Sequence, residues 1–123
     1  TRPEGLEDLL GLGPGLTPSG DDFMGGMMIA ARILGEVGVC HLLWDMIRPA
    51  AVVSGNPIVL AHLSAASEGF GCPELHQAIA AILIGRRGVF DRIVGDIGAI
   101  GHTSGWDTMA GVTHLFDAWL QTR

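Results

Sequence analysis

The chain contains no lysine, and all seven of its basic residues are arginine. Phosphate chemistry built on a Walker-type lysine and covalent chemistry through a Schiff-base lysine are both excluded. Positive charge is scarce in general. Thirteen acidic residues leave a formal charge of −6, which opposes binding to a nucleic-acid backbone. Long hydrophobic runs are missing too. The most apolar stretch, residues 23–34, is interrupted by Arg32 and falls short of the roughly 20 residues a membrane span needs. Cys40 and Cys72 are the two cysteines, far apart and in no Cys-x-x-Cys pair. They read as reduced, buried thiols of a cytoplasmic protein, and nothing before Leu6 resembles a targeting segment. Histidines 41, 62, 76 and 114 fall at isolated positions without His-x-x-x-His or His-Glu-x-x-His spacing, so a zinc site is not expected.

Strand signals are equally weak: no alternating β-branched run and no Asn-Gly or Asp-Gly hairpin turn is present. What is present is helical. Apolar spacing and start and stop residues predict helices over 4–10, 21–36, 40–48, 57–68, 73–85, 89–97 and 106–120. Asn56-Pro57 is a capped start, Gly69 and Gly85 are stops, and Pro49 is placed just beyond a helix end. Leu42, Leu43, Met46 and Ile47 are expected inward on the third of these, and Leu75, Ile79, Ile82 and Leu83 on the fifth. The expected fold is all-α, a compact bundle of six or seven helices with glycine-rich loops at two helix starts. With 123 residues, 48% hydrophobic and 16% charged, a single domain over 1–123 is expected. The apolar content favours an oligomer.

The most informative feature is a repeat. Residues 13–26 read GPGLTPSGDDFMGG and residues 98–111 read GAIGHTSGWDTMAG. At an offset of 85, Gly13, Ser19, Gly20, Asp22, Met24 and Gly26 coincide with Gly98, Ser104, Gly105, Asp107, Met109 and Gly111. Each unit is a glycine-bearing loop, then Ser-Gly-x-Asp, then a helix. One explanation is purely structural: Ser followed three residues later by Asp has capping-box spacing, and an acid in a first turn suits the helix dipole. Gly26 and Gly111 then mark close helix packing. Capping alone leaves Asp21 beside Asp22 unexplained, as it does the density of Gly11, Gly13, Gly15 and Gly20. Such backbone can aim several amide hydrogens at one point ahead of a helix. Amides facing an acidic pair suit a ligand with one anionic and one hydrogen-bond-donating end, such as a small amide, a carbamoyl compound or an amino acid. His102 could move a proton near neutral pH. Trp106 reads as packing or as a ligand platform, and Arg32, inside an apolar helix, as an anion ligand or a residue in need of a buried partner.

The runs GLGPGLTPSGDDFMGG and IGHTSGWDTMAG, with NPIVLAHLSAASEGFGCPELHQAI between them, resemble the oxamate carbamoyltransferase subunit family of the AllH type from Leu10 to Leu120. The resemblance implies that this chain is the C-terminal part of a longer protein. It also implies a subunit working with others in allantoin-type purine catabolism, exchanging oxalurate and phosphate with oxamate and carbamoyl phosphate. The family signature falls on Gly13, Pro14, Gly15, Thr17, Ser19, Gly20, Asp21 and Asp22, then on Gly101, His102, Thr103, Ser104, Gly105, Trp106 and Asp107.

The residue reading agrees in kind. Carbamoyl transfer needs no cofactor, only positioned reactants and stabilisation of a developing oxyanion. Asp21, Asp22, His102 and Asp107 are the candidate catalytic residues. Gly13, Gly15, Thr17, Ser19, Gly20, Thr103, Ser104 and Gly105 are the candidate substrate contacts. Two alternatives stay open: a non-catalytic ligand-binding or assembly module, and a phosphoryl-handling enzyme holding magnesium on Asp21, Asp22 and Asp107. Expected partners are a small anionic or amide ligand and other subunits, with no nucleic acid and no membrane.

Overall fold

The computed structural model describes residues 18–53, 55–71, 73–85, 88, 92 and 104–122. Among them are five helices and no strand: α1 (Pro18–Ile33), α2 (Val37–Val53), α3 (Pro57–Ser67), α4 (Pro73–Ile84) and α5 (Ser104–Gln121). The all-α expectation holds. The expected count of six or seven becomes five here, because residues 4–10 and, save Arg92, 89–97 lie outside the described residues.

The start and stop signals act as their chemistry requires. Asn56 Oδ1 accepts from Ile58 N at 3.0 Å and Val59 N at 3.3 Å, with Pro57 in the first turn of α3. Gly69, at φ +90°, reverses the chain after α3, and Gly69 N and Phe70 N close onto the carbonyls of Ala66 and Ala65. The same device ends α1 earlier than expected, at Ile33 and not residue 36. Gly35 takes φ +77°, and the amides of Gly35 and Glu36 bond to Arg32 O and Ala31 O.

A larger correction concerns α2, which starts at Val37 and runs through Pro49 to Val53. Proline inside a helix removes one hydrogen bond and crowds the preceding turn. Here it stands on the exposed side, while Cys40, Leu43, Ile47 and Ala51 form a continuous buried stripe. Burial of Ala51 one turn past Ile47 carries the helix across the break. Leu42 and Leu83, expected inward, are 36% and 50% exposed; Leu43 and Ile79 hold the inward positions.

Helix α1 is the centre. Met24, Met27, Met28, Ile29, Ala30 and Ala31 are all buried, so it is covered nearly all round. It packs on α2, α3 and most extensively α5, while α2 also packs on α3 and α4 touches α5. No helix among the described residues is long and apolar enough to cross a membrane.

Candidate functional site

The two repeat units meet. A side-chain carbon added to Gly26 on α1 would overlap the Thr108 carbonyl oxygen of α5, and one added to Gly111 on α5 would overlap the Phe23 carbonyl oxygen of α1. Under the 85-residue offset Gly26 corresponds to Gly111 and Phe23 to Thr108. Each copy thus offers its glycine to the same carbonyl of the other, a local two-fold relation. Only glycine permits backbones this close. The packing role expected of Gly26 and Gly111 is the one they have.

The direction of the crossing follows from a second contact. Trp119 Nε1, near the end of α5, donates to Glu36 Oε1, just past the end of α1, at 3.2 Å. With helical rise at about 1.5 Å per residue, antiparallel helices crossing at these glycines would hold those residues roughly 30 Å apart. The helices therefore run in the same sense. Their C-terminal ends converge on the Trp119–Glu36 bond, and their first turns, carrying the two Ser-Gly-x-Asp units, start on the same side of the crossing.

At that end Asp21 is 6% exposed, and its Oδ1 is buried with no hydrogen-bond partner among the described residues. Burial, and then the neighbouring Asp22 charge, push its carboxyl from an ordinary 3.8 up to about 6, against a smaller opposing pull from His62. Asp22 Oδ1 lies 3.6 Å from His62 Nε2 on α3. The approach of this carboxylate raises the His62 pKa, partly countered by burial and assisted by the charges of Asp22 and Asp21. The ring lies against Gly25, where a Cβ would sit at ordinary contact distance, 3.7 Å from both His62 Nε2 and Ala66 Cβ. Asp21, Asp22 and His62 thus form a cluster of two carboxylates and one imidazole drawn from two helices.

Sequence reasoning missed His62. No spacing rule ties residue 62 to residue 22, and the contact exists only because α1 and α3 pack together.

Of the other expected site residues, Gly20 and Gly105 are both buried, and Asp107 is half-buried in the first turn of α5. Ser19 is the second residue of α1 and Ser104 the first of α5, so neither stands before its helix as a capping box requires. The Ser19–Asp22 box is thereby corrected: Pro18 already belongs to the helix. Gly13, Gly15, Thr17, His102 and Thr103 lie outside the described residues. Trp106 is 47% exposed, so its packing role is not realised. Among the described residues no group of three His, Cys, Asp or Glu side chains is placed to hold a metal ion, and Asp21, Asp22 and Asp107 do not form one.

Arg32 is bound to the scaffold. Its Nε donates to Ser67 O at 3.0 Å and its Nη2 lies 3.5 Å from His41 Nε2, while its stem covers Gly69. A cation on the last carbonyls of α3 satisfies the helix end. Cys40 is a free, buried thiol that donates to the same Ser67 oxygen at 3.1 Å. Burial raises its pKa, against the pull of Arg32.

The described residues are all helical, and the two duplicated Ser-Gly-x-Asp helix starts share one end of a glycine-sealed helix pair, beside a buried carboxylate. The chain belongs to the oxamate carbamoyltransferase subunit AllH family, whose model matches residues 9–116. No solved structure matches it.

Proposed function

We propose that the chain acts as a carbamoyltransferase subunit on small amide and carboxylate compounds, exchanging oxamate and carbamoyl phosphate with oxalurate and phosphate in allantoin-type catabolism. The ligand lies at the common end of α1 and α5. The observation that carries this reading is Asp21: a buried carboxylate in a helix first turn, with an oxygen that no described protein group satisfies. Leaving such an atom unpaired costs about 1–3 kcal/mol, a cost that a ligand N–H would remove.

Asp21 and Asp22 orient the nitrogen that attacks or leaves. Backbone amides of Gly13, Gly15, Gly20 and Gly105, with the hydroxyls of Thr17, Ser19, Thr103 and Ser104, meet the carboxylate and the developing oxyanion. Asp107 is the second unit's counterpart to Asp22. The partners are the other subunits of the enzyme, which supply whatever groups this chain lacks. Replacing Asp21 and Asp22 together by Asn, then assaying carbamoyl transfer in the assembled enzyme, tests the assignment. We expect turnover to fall about a hundredfold or more; turnover equal to the unsubstituted enzyme would leave the chain an assembly module.

A further inference from the structure

We propose that Asp21, Asp22 and His62 act as one unit, in which Asp21 Oδ1 accepts an N–H of a carboxamide ligand and His62, oriented by Asp22, takes the proton that this nitrogen loses. The proposal rests on the carbamoyl-transfer reading above and gives the proton to His62, a role that the sequence alone suggested for His102.

Three independent placements support it. Asp21 Oδ1 is a buried acceptor with no donor to it among the described residues. His62 reaches the pair from a different helix, α3, with its Nε2 3.6 Å from Asp22 Oδ1. Its side chain is 55% exposed, so the contact with Asp22 does not close the ring off. A carboxylate at Nε2 favours the tautomer with the proton on that nitrogen, which leaves Nδ1 as the acceptor. The charged groups acting on His62 are Asp22 and Asp21, both from α1. This is the carboxylate–imidazole logic of general-base catalysis, with Asp22 as the positioning residue.

The step balances without a further reactant. The carboxamide nitrogen forms a bond to the carbamoyl carbon of carbamoyl phosphate, and the carbon–oxygen bond to phosphate breaks with its electron pair leaving on the phosphate. The proton lost by nitrogen passes to His62 Nδ1 and then to the departing phosphate. His62 returns to neutral, and the products are an N-carbamoyl carboxamide and hydrogen phosphate. The second N–H of the carboxamide stays on Asp21 throughout.

The test uses the assembled enzyme with oxamate and carbamoyl phosphate, in the unsubstituted form and as Asp21→Asn, Asp22→Asn and His62→Gln. Asp21→Asn is expected to weaken oxamate binding about tenfold. His62→Gln should leave binding within about threefold, lower kcat about 10²- to 10⁴-fold, and abolish the acid limb of the pH–rate profile. Asp22→Asn should move that limb to lower pH, since the carboxylate that raises the His62 pKa is gone. Independently of any variant, saturating oxamate should shift the His62 imidazole resonances in NMR spectra. If the unsubstituted enzyme turns oxamate over while His62→Gln does so equally well, or if oxamate binds without moving those resonances, the unit proposed here is wrong and the carbamoyltransferase reading stands. If the unsubstituted enzyme neither binds oxamate nor transfers a carbamoyl group, both fall.

Discussion

The two repeat units share a skeleton and differ in chemistry. Glycine sits at the crossing in both (Gly26 and Gly111), and a buried methionine stands two residues earlier (Met24 and Met109). The divergence lies one turn upstream. Where α1 carries Asp21, buried and with an oxygen that no described residue satisfies, the matching position of α5 carries Trp106, 47% exposed. Where α1 carries Gly25, against which the His62 ring lies, α5 carries Ala110. The positions that hold the helices together are duplicated. Of the charged corner, Asp22 alone has a counterpart, Asp107; the buried carboxylate of Asp21 occurs once.

The comparison breaks most severely at the crossing. Gly26→Ala and Gly111→Ala each place a methyl group against a backbone carbonyl, which cannot move aside as a flexible side chain would. Overpacking of this kind typically costs 1–3 kcal/mol, and a backbone obstacle puts both variants at the upper end, about 3 kcal/mol each. Thermal melting should fall by roughly 10 °C in each case. The local two-fold relation requires the two losses to be similar. A large loss at Gly26 with none at Gly111 would show that the copies do not pack equivalently.

The next effect separates the copies. Asp21 holds its proton to about 6 in the folded chain and 3.8 in the unfolded one. Below pH 3.8 both states are protonated and the residue costs nothing. As pH rises from there to about 6 the unfolded state ionises first, so the folded state loses stability through that window and carries the deficit above it. At roughly 1.4 kcal/mol per unit, the deficit reaches about 3 kcal/mol. Asp21→Asn should therefore stabilise the chain at pH 8 by up to that amount, and the gain should vanish near pH 4. Trp106→Asn, at the corresponding but exposed position, should shift stability by no more than about 0.5 kcal/mol at either pH. Melting curves of both variants at the two pH values decide it. A pH-independent Asp21→Asn would mean that the carboxyl is not desolvated.

What could be read from the sequence divides along the same line. Local features were legible because their physics is local: Asn56-Pro57 caps α3, Gly69 and Gly85 stop helices with positive φ, and the repeat itself announced Gly26 and Gly111 as packing positions. Features set by tertiary packing were not. Pro49 was placed outside α2 on intrinsic preference, and burial of Ala51 overrides that preference. Ser19 had the spacing of a cap, yet α1 begins at Pro18. Within the candidate site, Asp21 and Asp22 stood out as an acidic pair. His62 did not, because its relation to Asp22 is a contact between helices 40 positions apart in sequence.

The finest distinction is Gly25→Ala, which gives the first copy the residue that the second already has. Glycine inside a helix costs up to about 1 kcal/mol relative to alanine. The added methyl would meet His62 Nε2 and Ala66 Cβ at 3.7 Å, an ordinary contact distance, and the φ of Gly25 is not in the left-handed region. Helix propensity should dominate, raising stability by about 0.5–1 kcal/mol with a melting rise of a few degrees. The His62–Asp22 attraction should survive, since Gly25 lies against the ring and supplies no hydrogen bond to it. A destabilisation beyond about 1 kcal/mol, or a His62 pKa falling toward that of a free imidazole in an NMR titration, would show that the ring does not tolerate a methyl group there. In that case Gly25 belongs to the site together with Asp21, Asp22 and His62, and the absence of a side chain there is as much a functional feature as the carboxylates beside it.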